Sequence, residues 1–232
     1  MSNLVVLKNI SKHYITSKKN IILKKINFKF TKGLIYSLVG PSGSGKSTLL
    51  NLLSLIDKPT SGEILINNNI IKYKNISTND RLRADKIGII YQQNNLLPDF
   101  NALENVYLAR LAVDDNKSKA ELDAINLLKK FGLLNRMNHY PSQLSGGELQ
   151  RVAISRALIN EPEIILADEP TGSLDHLTAK EVFKSLYKLK NKNRLIIYAT
   201  HNRLFSNMAD CKLEMIDGNI KPSYARKYKT NF

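Results

Sequence analysis

Within residues 21–30, apolar and polar positions alternate where Asn27 and Lys29 separate Ile26, Phe28 and Phe30. A period of two turns one face inward and the other outward. This segment and residues 4–14 are therefore predicted to be strands, most simply an antiparallel pair. A third β-favouring run, residues 34–39, gives way to glycines and then to Leu49-Leu50-Asn51-Leu52-Leu53, which contains no helix breaker. That order predicts strand, loop, helix. A turn at Lys58-Pro59-Thr60-Ser61-Gly62 precedes a strand over residues 63–66 and a tight bend at the three asparagines 67–69, and residues 87–91 read as a short buried strand.

From residue 101 to about 160 the pattern becomes helical. Asn101 with Glu104, and Ser118 with Glu121, have the spacing of a capping box ahead of apolar-periodic runs, and Gly132 stands where the second helix should stop. Strand signals return at residues 164–167 and 195–199, with a helix between them over 178–190. Asp217-Gly218 then separates residues 212–216 from 219–220 as a hairpin, and the polar tail from Pro222 onward is expected to be loose. Strands that alternate with helices imply a mainly parallel sheet covered on both faces. The expected class is α/β: one domain over residues 1–232, with an antiparallel β subdomain and a helical insert over residues 93–160.

Composition narrows the setting. At 43% hydrophobic residues the chain has ample material for a core. The apolar run at residues 4–7 is cut off by Lys8, and no stretch approaches the roughly 20 apolar residues needed to span a bilayer. The chain is therefore expected to stay on the cytoplasmic side of the cell membrane. Cys211 is the sole cysteine, which excludes an internal disulfide and a thiolate metal cluster. The net charge of +15 raises the question of nucleic acid. The lysines, however, are scattered in pairs such as Lys24-Lys25 and Lys129-Lys130, with no arginine stripe or interleaved aromatic platform. Abundant asparagine and isoleucine fit a general compositional drift. No nucleic-acid partner is expected, and attraction to an anionic membrane surface is the second reading of the charge.

Three stretches carry chemistry. Gly40-Pro41-Ser42-Gly43-Ser44-Gly45-Lys46-Ser47-Thr48 has the spacing of a phosphate-binding loop between a strand and a helix. Its glycines let backbone N–H groups form an anion-sized nest at the positive end of the following helix. Lys46 supplies a charge for the β- and γ-phosphates, and the Ser47 hydroxyl is placed to ligate Mg²⁺. The strand over residues 164–167 ends in Asp168 and Glu169; the first carboxylate can hold Mg²⁺ through water and the second can orient or deprotonate an attacking water. Finally, Ser145-Gly146-Gly147 before a helix beginning at Glu148 reads as a second anion-binding helix start.

With its octet Leu144-Ser145-Gly146-Gly147-Glu148-Leu149-Gln150-Arg151, the chain resembles the nucleotide-binding subunit of an ATP-binding cassette (ABC) transporter over nearly all its length. The resemblance implies an ABC-type ATPase fold, ATP and Mg²⁺ as cofactors, and a homodimer that sandwiches ATP between one copy's phosphate loop and the other's Ser145-Gly146-Gly147. It further implies that Tyr14 stacks on adenine, Gln92 senses Mg²⁺ and the attacking water, Asp175 crosses the dimer and His201 contacts the γ-phosphate. Gln93 also follows Tyr91 and competes with Gln92, and Asn202 stands where the family commonly has aspartate. Two integral membrane subunits would dock near Gln92 to Phe100. Residues 96–106, 167–175 and 213–218 are most similar to the branch containing the lipoprotein-releasing, macrolide-exporting and cell-division ATPases. The lipoprotein-releasing member is the nearest, which implies an ATPase held peripherally at the inner membrane that powers lipoprotein release.

Overall fold

The computed structural model describes residues 2–15 and 19–223. In chain order they form β1 (Asn3–Ile15), β2 (Lys19–Thr31), β3 (Ile35–Val39), α1 (Lys46–Leu53), β4 (Ser61–Ile66), β5 (Asn69–Ile70), α2 (Ile76–Lys86) and β6 (Ile87–Ile90). Then follow α3 (Ala102–Leu111), α4 (Lys117–Lys130), α5 (Gly146–Leu158), β7 (Ile164–Asp168), α6 (His176–Tyr187), β8 (Leu195–Ala199), α7 (Arg203–Ser206), β9 (Cys211–Ile216) and β10 (Asn219–Ser223). The described residues gather into two compact units, one within residues 1–79 and 190–232 and the other over residues 80–189.

In the first unit β1 and β2 pair antiparallel, as expected, and β4 and β5 extend the sheet in the order β2-β1-β4-β5. The sheet buries Leu4, Val5, Leu7, Ile10, Leu23, Ile26 and Phe30. Phe28 is only half-buried; its ring meets Phe30 edge-on at 4.8 Å. β3 joins a different layer, running parallel between β8 and β9, with β10 returning as a hairpin on β9. All five residues of β8 are buried, the pattern of a strand covered on both faces. Polar groups buried here are bonded: the Ser37 hydroxyl donates to the Ser206 carbonyl at 2.9 Å and the Tyr198 hydroxyl to the Phe205 carbonyl at 2.6 Å. Both acceptors belong to the short α7, so it is stitched to this layer by hydrogen bonds that the sheet side chains require. The tail is ordered further than expected, because Pro222 and Ser223 pair with Leu213 and Lys212; residues 224–232 lie outside the described residues.

In the second unit β6 and β7 are parallel neighbours, and α3, α4 and α5 enclose a core of Val106, Ala120, Ala124, Leu128 and Val152. Ala120, Ala124 and Leu128 recur every four residues on α4, and the two alanines allow close approach of the neighbouring helices. Asn101 and Glu104 form the expected reciprocal capping box. The cap expected at Ser118 is instead Asn116, whose side chain accepts from the Lys119 N–H at 3.0 Å; Ser118 is already inside the first turn. Gly132 does follow the end of α4, with a left-handed φ of 71°. Likewise α6 begins before residue 178, because Asp175 caps it, and it ends at Tyr187. α2 was not expected, since Ile-Ser-Thr-Asn-Asp-Arg-Leu-Arg-Ala-Asp-Lys has no apolar stripe; local bonds such as Arg83 to Asp80 at 2.8 Å support it. Among the described residues no helix is long and apolar enough to cross a membrane.

Candidate active site

The phosphate loop leaves β3 and is pinned at both ends by glycine. A Cβ at Gly40 would lie 2.3 Å from the Met215 carbonyl oxygen of β9, and Gly45 turns the chain into α1 at a left-handed φ of 101°. The helix it opens differs from the others for which a cap is resolved. Asn101, Asn116, Ser145, Asp175 and Asn202 each bond the first N–H groups of α3, α4, α5, α6 and α7 through their side chains, whereas α1 has no side-chain cap. Its N–H groups and positive dipole end are thus kept for an external acceptor. Lys46 is buried, and its ammonium donates to the carbonyls of Gly40 and Pro41 at 2.9 and 3.0 Å, which draws the loop into an arch. The Ser44 hydroxyl is buried under this arch with no hydrogen-bond partner. Ser42, Gly43 and Ser47 are exposed. An uncapped helix start, an ammonium and an unpartnered hydroxyl are the donor set that a phosphate chain requires.

Tyr14 and His201 belong to the same unit. The half-exposed Tyr14 ring is held by its hydroxyl, which donates to Asp57 at 2.9 Å. Burial raises the Tyr14 pKa and the Asp57 carboxylate adds to it. Burial would also raise Asp57, but hydrogen bonds from Lys12, Tyr14 and the Lys58 N–H outweigh it and leave its pKa lowered. His201 is exposed just beyond buried Thr200. Asn202, in the position where aspartate is common, caps α7 by accepting from the Leu204 and Phe205 N–H groups at 2.9 and 3.3 Å; an amide performs that task as well as a carboxylate.

The second unit holds Gln92, Ser145, Gly146, Gly147, Asp168, Glu169 and Asp175. Asp168 ends β7, and Glu169 follows at a left-handed φ of 45°, a conformation that costs a non-glycine residue on the order of 1 kcal/mol. The turn is closed by the Gly172 N–H to the Glu169 carbonyl at 2.9 Å. A Cβ at Gly172 would lie 3.1 Å from the Gln92 amide nitrogen and 3.4 Å from the Glu169 Cβ. Of the two glutamines after Tyr91, Gln92 is thus the one packed beside the acidic turn. The Ser145-Gly146-Gly147 stretch packs on the start of α6: a Cβ at Gly146 would meet Leu174 at 3.3 Å, and one at Gly147 would meet Thr178 at 2.5 Å. Asp175 spends its carboxylate on the Leu177 and Thr178 N–H groups, at 3.0 and 3.1 Å.

The start of α5 is already partly satisfied from within. The Ser145 N–H donates to Glu148 at 2.8 Å, the Glu148 N–H to the Ser145 hydroxyl at a long 3.4 Å, and Arg136 donates to Glu148 at 2.9 Å. The Ser145 N–H first, and Arg136 second, hold the Glu148 pKa down at about 2. Arg136 is one of several contributors that sequence spacing did not reveal. Arg156 donates to the Asn94 and Asn95 carbonyls at 2.7 and 2.6 Å, and the buried Asn105 side chain bonds Leu97, Phe100 and Asn101. Together they hold residues 94–101 in shape. Lys12 and Asp57 also went unnoticed, because they stand 45 positions apart and only folding joins them.

Residues 23–172 match the ABC transporter family. The lipoprotein-releasing system ATP-binding protein LolD of Rickettsia bellii is 45% identical, over 96% of this chain and 100% of its own length. Among solved structures, the dimeric bacterial ABC transporter cassette MJ0796 is 37% identical with a TM-score of 0.88, covering 97% of this chain and all of that one. A dimeric post-hydrolysis state of the same cassette, bound to ADP and Pi, is 36% identical with a TM-score of 0.86 over the same shares.

Because the folded pKa of Glu148 is depressed, its contribution to stability is present above about pH 4.5 and is lost as pH falls toward 2. Glu148→Gln, which keeps the cap but loses the charge, is expected to be less stable than the parent by about 1 kcal/mol at neutral pH after solvent screening. The difference should shrink through that acidic window. Urea denaturation at pH 7, 4 and 3 checks it; a gap that does not change with pH would show that the carboxylate charge contributes nothing.

Proposed function

We propose that this chain, which belongs to the ABC transporter family and is one of its ATP-hydrolysing cassettes, powers the release of lipoproteins from the inner membrane toward the outer membrane. The end-to-end likeness to the LolD relative carries this reading. The uncapped start of α1 and the loop arched by Lys46 receive the β- and γ-phosphates, and the Tyr14 ring stacks on adenine. Ser47, Asp168 and Gln92 offer only oxygen ligands of the kind that suits Mg²⁺, and these three would hold it. Bound there, Mg²⁺ neutralises charge developing on the transferred phosphoryl group. Glu169 takes the proton of the attacking water, Gln92 orients that water, and His201 contacts the γ-phosphate.

Ser145, Gly146 and Gly147 act on the nucleotide of a second copy, with Asp175 beside them at the crossing. The dimeric state of the related cassette supports a homodimer. Contacts that require the γ-phosphate close the dimer and are lost on hydrolysis. Two integral membrane subunits dock near Gln92 to Phe100, where Leu97 and Phe100 remain 45% and 38% exposed on a loop that Arg156 and Asn105 hold in shape. The cassette thereby sits peripherally on the cytoplasmic side of the membrane.

Glu169→Gln should bind ATP normally while turnover falls by about 10²–10⁴-fold, the scale of a general-base contribution. It should also elute as a dimer with Mg-ATP on a sizing column; normal turnover in the purified variant would remove Glu169 from its role. In cells, depletion of the protein should strand outer-membrane lipoproteins in the inner membrane, as read by membrane fractionation. Filamentous cells with correctly sorted lipoproteins would point instead to a cell-division complex, and drug sensitivity alone to an exporter.

A further inference from the structure

Lys12 and Tyr14 lie two residues apart on β1 and so share one face of the strand. Lys12 is only 7% exposed, an unusual position for a lysine, and it sits at the centre of a small network. Its ammonium donates to Asp57 at 2.6 Å and to the Lys58 carbonyl at 2.9 Å, and it stands 4.7 Å above the centre of the Tyr14 ring. The other Asp57 oxygen accepts from the Tyr14 hydroxyl at 2.9 Å. Asp57 is itself anchored, since its N–H donates to the Asn51 carbonyl of α1 at 3.1 Å and its carboxylate accepts from the Lys58 N–H at 2.7 Å. Through Asp57 and Asn51 the ring is therefore tied to the helix whose start forms the proposed phosphate site.

We infer that Asp57, braced by Lys12, is a positioning residue for the nucleotide base, holding the Tyr14 ring in register with the phosphate loop. The inference rests on the reading of Tyr14 as the adenine platform. A half-exposed tyrosine at a strand end would otherwise sample several rotamers, and stacking would have to freeze it; a ring fixed beforehand spares that entropy. Lys12 also occupies one side of the ring with a cation, which further limits where it can turn. An ammonium–carboxylate pair with a buried lysine and a partly buried aspartate returns little net stability to a strand, whereas it fixes direction well. Phosphate binding, by contrast, is supplied by α1 and Lys46 and does not need the tether.

The test is calorimetric titration of the full chain with Mg-ATP and, separately, with Mg-tripolyphosphate, which has no base. Tyr14→Ala should weaken ATP about tenfold or more, the scale of a lost base–aromatic stack, and leave tripolyphosphate unchanged. Tyr14→Phe keeps the ring but frees it. This variant and Asp57→Ala should each weaken ATP by about three- to tenfold without affecting tripolyphosphate, and the double variant should be no weaker than Asp57→Ala alone, as expected for one shared interaction. Should Asp57→Ala fail to fold because Lys12 is left buried and unpaired, Tyr14→Phe decides the matter alone. If Tyr14→Ala weakens ATP while Tyr14→Phe binds it like the parent, the tether is dispensable and the inference falls. A parallel loss of tripolyphosphate would make the effect structural and would also overturn it. Unchanged ATP affinity in Tyr14→Ala would remove the platform reading, and the tether with it.

Discussion

A helix start left without a side-chain cap is the constraint on which this molecule depends. Five other helices spend an asparagine, serine or aspartate on their first N–H groups, and α1 does not. Leaving those donors open is destabilising in isolation, because a cap contributes about 1 kcal/mol. The surroundings of α1 make the open end tenable. Met215 crowds Gly40 from β9, Gly45 supplies a left-handed residue, and the Lys46 ammonium bonds the loop's own carbonyls. The same groups that hold the loop are those that a triphosphate would engage, so ligand binding redirects donors that are already in place.

The second unit carries a complementary set of constraints. Glu169 is kept in a left-handed conformation by the Gly172 turn, with Gln92 packed beside it, and Gly147 leaves just enough room for Thr178 at the start of α6. The loop beyond Gln92 is fastened at its middle by Arg156 and at its end by Asn105. On the proposed reading, a shift of Gln92 that follows the γ-phosphate would be passed along this loop to Leu97 and Phe100, because a segment fixed by six hydrogen bonds moves as a piece. A loose loop would absorb the same displacement.

The sequence made legible whatever depends on local pattern. The phosphate loop was readable from the spacing of Gly40, Gly45 and Lys46, the strands from unbroken or alternating apolar runs, and the α3 cap from Asn101 and Glu104. Where two residues could do the same job, local pattern fell short. Ser118 had the right spacing, but Asn116 captured the cap two residues earlier. α2 lacked an apolar stripe, so nothing in its polarity marked it as a helix. Contacts across long stretches of chain were the least legible of all. The Lys12 to Asp57 pair and the grip of Arg156 on Asn94 and Asn95 exist only once distant segments meet. Of the candidate site, the residues proposed to touch the nucleotide can therefore be named from local pattern and resemblance, and those that hold them in place cannot.

The central claim is that a working site takes its phosphate loop from one copy and Ser145-Gly146-Gly147 from another. Mixing two variants expected to be inactive tests it most directly: Lys46→Ala, which lacks the charge proposed to bind phosphate, and Ser145→Arg, designed to block the opposing helix start. In a head-to-tail dimer each mixed pair contains one site with both defects and one with neither. Equal mixing should then restore ATPase activity to about a quarter of the parent's, since half the dimers are mixed and each has one intact site. Activity no greater than the sum of the two separate variants, with mixed dimers present on native mass spectrometry, would contradict the shared site.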